Sequence, residues 1–139
     1  MMKNNLLLQE LLETLFLKPG MVVLRNPEGT VELKGDDLTM KEHGDWISIY
    51  HSTAANSESR SHLHLRKNSY HYACVRETEG YTAQMTFWKS KEEMSETKPP
   101  FAVYFPAFYD WTDGKKEIAE HKKYFEKWLT EHGSEFYLK

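Results

Sequence analysis

The segment Arg60-Ser61-His62-Leu63-His64-Leu65-Arg66 alternates cationic or imidazole side chains with small or aliphatic ones. Side chains of a strand point alternately to its two faces. Arg60, His62, His64 and Arg66 therefore share one face, and Leu63 and Leu65 the other. Imidazole is a metal ligand, and guanidinium pairs with carboxylates in a planar fork. Two imidazoles between two guanidinium groups are thus equipped to bind either a metal ion or a flat anionic ligand.

Neighbouring strands extend this face. If Lys67-Asn68 is a two-residue turn, Arg66 opposes Ser69, Leu65 opposes Tyr70 and His64 opposes His71. A turn at Glu79-Gly80 then sets Phe87 against Tyr72, Met85 against Cys74 and Trp88 against His71. The expected sheet has a core face of Leu63, Leu65, Tyr72, Cys74, Met85 and Phe87. Its other face carries His62, His64, His71, Gln84, Thr86 and Trp88.

Three readings follow. In the first, His62, His64 and His71 hold a catalytic metal with an open position. The His-x-His spacing resembles the first half of a cupin motif, but Arg66, Lys67 and Asn68 stand where that motif has its glutamate. In the second, the face binds a flat, anionic, aromatic ligand such as haem: His62 or His64 would ligate the iron, Arg60 and Arg66 pair with propionates, and Trp88 wall the ring, while a phosphate or nucleotide could use some of the same groups. In the third, the face is a non-catalytic dimer or partner surface including Trp88 and Tyr70. A histidine on an outer sheet face is about as often simply solvated. No glycine-rich phosphate loop and no Ser-His-Asp or Cys-His arrangement emerges.

The elements that position these residues fit one domain, residues 1–139, with 40% hydrophobic and 28% charged residues. The single cysteine, Cys74, excludes a disulfide framework and multi-cysteine zinc fingers. The net charge of -3 speaks against nucleic-acid binding. No apolar run reaches the roughly 20 residues of a membrane span, and Gln9, Glu10 and Glu13 interrupt the only leucine-rich stretch. A cytoplasmic location is expected. The periodicity predicts a helix over Lys3 to Leu17, stopped by Pro19-Gly20. Strands are expected at Met21 to Arg25, Thr30 to Lys34, Asp45 to His51, Ser59 to Arg66, Ser69 to Glu77, Tyr81 to Trp88 and Phe101 to Phe105. A helix over Asp113 to His132 closes the chain, its inward stripe including His121 and His132. Gly35 to Gly44 is ambiguous, and His43 and His51 flank a strand without a defined role. Short connections force antiparallel pairing. The fold class is therefore α+β: a curved antiparallel sheet of six or more strands with N- and C-terminal helices.

The order Ser61-His62-Leu63-His64-Leu65-Arg66, Tyr70-His71-Tyr72-Ala73-Cys74-Val75, Met85-Thr86-Phe87-Trp88 and Phe101-Ala102-Val103-Tyr104-Phe105, then a charged segment and a helix, resembles the haem-utilisation superfamily of HemS and HutX type. The resemblance runs over roughly Asp45 to Leu129. It implies a strongly curved sheet, cytoplasmic haem binding, transfer or sometimes breakdown, and often dimers, with His62 as the carried-over haem contact. The chain departs from the family in having Ser52 to Ser59 where HutX-type members have a glycine- and asparagine-rich block. It also has one copy of the unit where the HemS type has two.

Overall fold

The computed structural model describes residues 2–34, 38–51, 62–78, 82–95, 98–112 and 114–139. Arg60 lies outside them. The fold is α+β, built from a seven-stranded and a three-stranded sheet, a two-stranded ribbon and two helices.

The first departure from expectation is at the start. Met2–Leu6 forms strand β1, and helix α1 spans only Leu8–Leu15. The cause lies at the far end of the chain. Glu135–Leu138 forms a strand, β12, that sequence periodicity did not announce. β1 pairs with it in parallel, and those ladder bonds replace the helical ones. Leu7 N–H donates to Glu10 Oε1 at the helix start, and Leu8, Leu11, Leu12 and Leu15 face inward.

Strands β2 (Met21–Asn26) and β3 (Gly29–Lys34) form the expected hairpin. Asn26 Oδ1 accepts the N–H groups of Glu28 and Gly29, and Pro27 sets the turn. Gly20, just before β2, has no substitute: a Cβ there would stand 2.4 Å from the Phe105 carbonyl oxygen.

Strand β4 (Leu38–His43), from the ambiguous segment, turns at Gly44-Asp45 into β5 (Trp46–His51), with Gly44 at φ 59°. β6 (His62–Arg66) pairs with β5, completing a three-stranded antiparallel sheet in the order β4-β5-β6. β6 does not pair with the strand that follows it, so the expected Lys67-Asn68 hairpin does not form. Ser69 N–H bonds Arg66 O in a turn, Tyr70 drops into the core, and the chain passes to the other sheet.

That sheet contains β7 (Tyr72–Thr78), β8 (Thr82–Trp88) and β9 (Phe101–Tyr104), in the order β1-β12-β7-β8-β9-β2-β3. Every neighbouring pair except β1–β12 is antiparallel. β7 and β8 pair one residue out of the expected register: Tyr72 opposes Trp88, Cys74 opposes Thr86, and Ala73 opposes Phe87. Because the side-chain period is two, this slip moves Tyr72 and Cys74 to the face opposite Met85 and Phe87. Ala73 and Val75 take the places expected for them.

A short ribbon, β10 (Tyr109–Asp110) with β11 (Lys116–Glu117), precedes helix α2 (Ala119–His132). α2 therefore starts later than expected. Its residues Phe125 and Trp128 pack on Phe105 and Phe108. One apolar core joins α1, α2, the inner face of the three-stranded sheet and the inner face of the large sheet. Among the described residues, no helix is long and apolar enough to cross a membrane.

Candidate functional site

The three-stranded sheet has a core face and an outer face. Leu38, Ile47, Ile49, Leu63 and Leu65 are buried against α1 and the large sheet's core. Alternation turns the intervening residues outward in three cross-strand rows: Thr39, Tyr50 and His62; Lys41, Ser48 and His64; His43, Trp46 and Arg66. His62, His64 and Arg66 therefore stand on one exposed face.

Ser48 is at the centre of this face. It is 0% exposed, although the face itself is open. His43 Nε2 lies 2.6 Å from Ser48 Oγ, and Ser48 Oγ lies 2.6 Å from His64 Nδ1. The two rings shield the hydroxyl and supply its hydrogen-bond partners. The His64 ring is then held by its Nδ1 side, and among the described residues nothing is bonded to its Nε2. His62 packs edge-on to His64 at 5.1 Å between centroids, and Tyr50 lies 5.7 Å from His62. On the other side Trp46 meets His64 edge-on at 6.4 Å, and the Arg66 guanidinium stacks 4.4 Å over the Trp46 ring. The face is a continuous aromatic run, Tyr50–His62–His64–Trp46, ending under a cation.

Four expected members, His71, Gln84, Thr86 and Trp88, are elsewhere, on the large sheet. His71 is on the large sheet, its N–H bonded to Trp88 O and its carbonyl accepting from Leu138 N–H. Trp88 is on the outer face of that same sheet, 3% exposed, donating from Nε1 to Thr86 Oγ1 at 2.9 Å under the Arg76 guanidinium. The His64–His71 opposition fails because β6 finds its partner in β5 rather than in β7. Their places beside His62 and His64 are taken by His43, Ser48, Trp46 and Tyr50. Alternation along Trp46, Ser48 and Tyr50, with a tight Gly44-Asp45 turn bringing His43 back, is the signal that could have found them.

Without His71 the three-histidine centre does not form. Among the described residues no group of three or more His, Cys, Asp or Glu is arranged to hold a metal ion. A single imidazole could ligate one iron, and the Ser48 hydrogen bond to Nδ1 would orient the His64 ring for it. The nearest concavity, lined by Asp45, Arg66, Lys67 and Asn68, measures about 200 Å3. Enclosed small-molecule sites span roughly 300–1,000 Å3.

The large sheet's outer face carries a second polar cluster. Tyr72 Oη donates to Glu135 Oε2 at 2.5 Å, and Lys91 Nζ stands 3.4 Å from the same carboxylate. The Tyr72 bond holds the Glu135 carboxyl below its ordinary range. Burial, and then that same bond, push the Tyr72 phenol up. These groups satisfy one another.

No protein-family model, curated protein or solved structure matches the chain.

Proposed function

We propose that the protein binds haem on the outer face of its three-stranded sheet and stores it or hands it on in the cytoplasm. The observation that carries this reading is the exposed His62–His64 pair, with the His64 ring held through Nδ1 by buried Ser48 and Arg66 on the same face. The resemblance to the haem-utilisation superfamily supports it from the sequence. When bound, haem supplies an iron centre that takes an imidazole nitrogen as axial ligand. The chain's own residues do the rest. His64 or His62 presents that nitrogen, and Trp46 and Tyr50 border the ring. Arg66 stands where it can turn from the Trp46 face to a propionate. Arg60, two residues before β6, is the second propionate partner proposed from strand alternation. An open face favours exchange with another acceptor over long retention. The dimer implied by the resemblance belongs to the same proposal, and light scattering with and without hemin reports it.

Titrating the protein with hemin tests the reading. A saturable change in the Soret band at one hemin per chain is expected. Removing the axial imidazole, by His64→Ala or His62→Ala, should weaken binding by more than the roughly 10- to 100-fold that loss of a ligand's hydrogen-bonding partner costs. Binding that neither saturates nor responds to these substitutions would sink the proposal.

A further inference from the structure

A buried serine between two histidines has a consequence beyond orientation. Ser48 is 0% exposed, so water does not receive its hydroxyl proton. The partners within reach are His43 Nε2 and His64 Nδ1, each at 2.6 Å. A hydroxyl has one proton, and a neutral imidazole has one donor and one acceptor nitrogen. Two arrangements satisfy all three groups. In one, His43 Nε2–H donates to Ser48 Oγ and Ser48 donates to His64 Nδ1, so both rings carry their proton on Nε2. In the other, His64 Nδ1–H donates to Ser48 Oγ and Ser48 donates to His43 Nε2, so both rings carry it on Nδ1. A mixed pair would either leave Ser48 without an acceptor or aim two lone pairs at one proton.

We infer that Ser48 is a positioning residue that locks His43 and His64 into the same tautomer, so that a ligand coordinated by His64 Nε2 switches His43 as well. Coordination needs the Nε2 lone pair and therefore admits only the arrangement with both protons on Nδ1. The change conserves protons. The His43 Nε2 proton moves to Ser48 Oγ, and the Ser48 proton moves to His64 Nδ1. His64 Nε2 releases its proton to solvent, and His43 Nδ1 takes one up. His43, on the exposed neighbouring strand, thereby turns its Nδ1 from an acceptor into a donor. A partner or a propionate carboxylate at His43 would then distinguish the loaded from the unloaded face. The ligand in this inference rests on the proposed haem site, but the locking of the two rings does not.

Two-bond proton–nitrogen spectra of 15N-labelled protein at pH 8 report the tautomer of each ring. The probe is gallium(III) protoporphyrin IX, a diamagnetic haem analogue. In the unloaded wild type, His43 and His64 should show the same tautomer. On loading, both should read Nδ1–H. Ser48→Ala should release the two rings from each other and leave His43 unresponsive to the probe, and Ser48→Thr should restore the coupling. His43→Ala, at an exposed position, should change the His64 tautomer balance without disturbing the fold, which covers the case in which Ser48→Ala does not fold. Opposite tautomers in the unloaded wild type, or coupling that persists in Ser48→Ala, would overturn the inference. If the wild type does not bind the porphyrin, the haem proposal falls, and the unloaded spectra still decide whether Ser48 couples the rings.

Discussion

The two sheets each present an outer face with a tryptophan beneath a guanidinium, and the two faces behave differently. On the three-stranded sheet Arg66 lies 4.4 Å over Trp46, which is 37% exposed. On the seven-stranded sheet Arg76 lies 4.9 Å over Trp88, which is 3% exposed. The difference is one of sheet width. A three-stranded sheet has a single central strand, so only a small residue at its middle, Ser48, is covered from both sides. The long side chains of β4 and β6 flank it and stay in solvent. On the wide sheet β7, β8 and β9 each have neighbours on both sides. Tyr72, Thr86, Trp88 and Ala102 are buried by the side chains around them, while the edge strand β3 keeps Thr30, Glu32 and Lys34 exposed. Similar side chains thus make a closed surface on one sheet and an open one on the other.

Trp88→Ala should separate the two faces most clearly. Truncating a buried tryptophan costs roughly 3–5 kcal/mol, so chemical denaturation should show a large loss of stability. Hemin affinity of the folded variant should stay as in the wild type. A hemin defect in a folded Trp88→Ala protein would mean that the two outer faces are not separate.

Next in size is an alkaline effect at Tyr70, where the chain leaves one sheet for the other. Burial pushes its phenol from 10.0 up to about 12. The unfolded chain ionises first, so stability is full below pH 10.0 and falls as pH rises towards about 12. A shift of that size corresponds to roughly 2–3 kcal/mol. Tyr70→Phe should remove this part of the alkaline loss in thermal melts recorded between those limits.

The closed face should also answer to acid. Glu135 is held below its ordinary range by the Tyr72 Oη hydrogen bond first and then by Lys91, which together outweigh the desolvation that pushes it up. Its contribution is present above the ordinary carboxylate range and lost as pH falls through the lowered value. Tyr72→Phe should flatten that acid limb in melts between neutral and low pH, while the histidine face keeps its hemin response. An unchanged limb would show that the pair does not matter to stability.

Smallest is Trp46→Ala on the open face. Its stability effect should be within about 0.5 kcal/mol, as for exposed positions. Hemin affinity should fall two- to five-fold, the roughly 0.5–1 kcal/mol of an exposed aromatic contact. A large stability loss without a change in hemin binding would reverse the assignment of the two faces.

Much of this architecture was legible from local pattern. Strands β2, β3, β5, β6, β7, β8 and β9 fall where alternation and turn residues put them, and the α+β class follows from their order. The shared face of His62 and His64 needs only the two-residue period of a strand. Pairing was less legible. Lys67-Asn68 reads as a hairpin turn, yet Tyr70 just after it is buried, stacked on Phe101 at 5.7 Å, and β7 joins the other sheet. β1 resembles the start of a helix, because its competing partner β12 lies more than a hundred residues away in sequence.

Local pattern was enough to tell which side chains alternate, which segments extend, and that two imidazoles and a guanidinium share one side of β6. Tertiary structure decided what stands beside them. It set His43, Ser48, Trp46 and Tyr50 around His62 and His64, and moved His71 and Trp88 to the second sheet. The physical reason is that side-chain direction is a local property of the strand, whereas register and partner are settled by which long-range packing buries the most apolar surface.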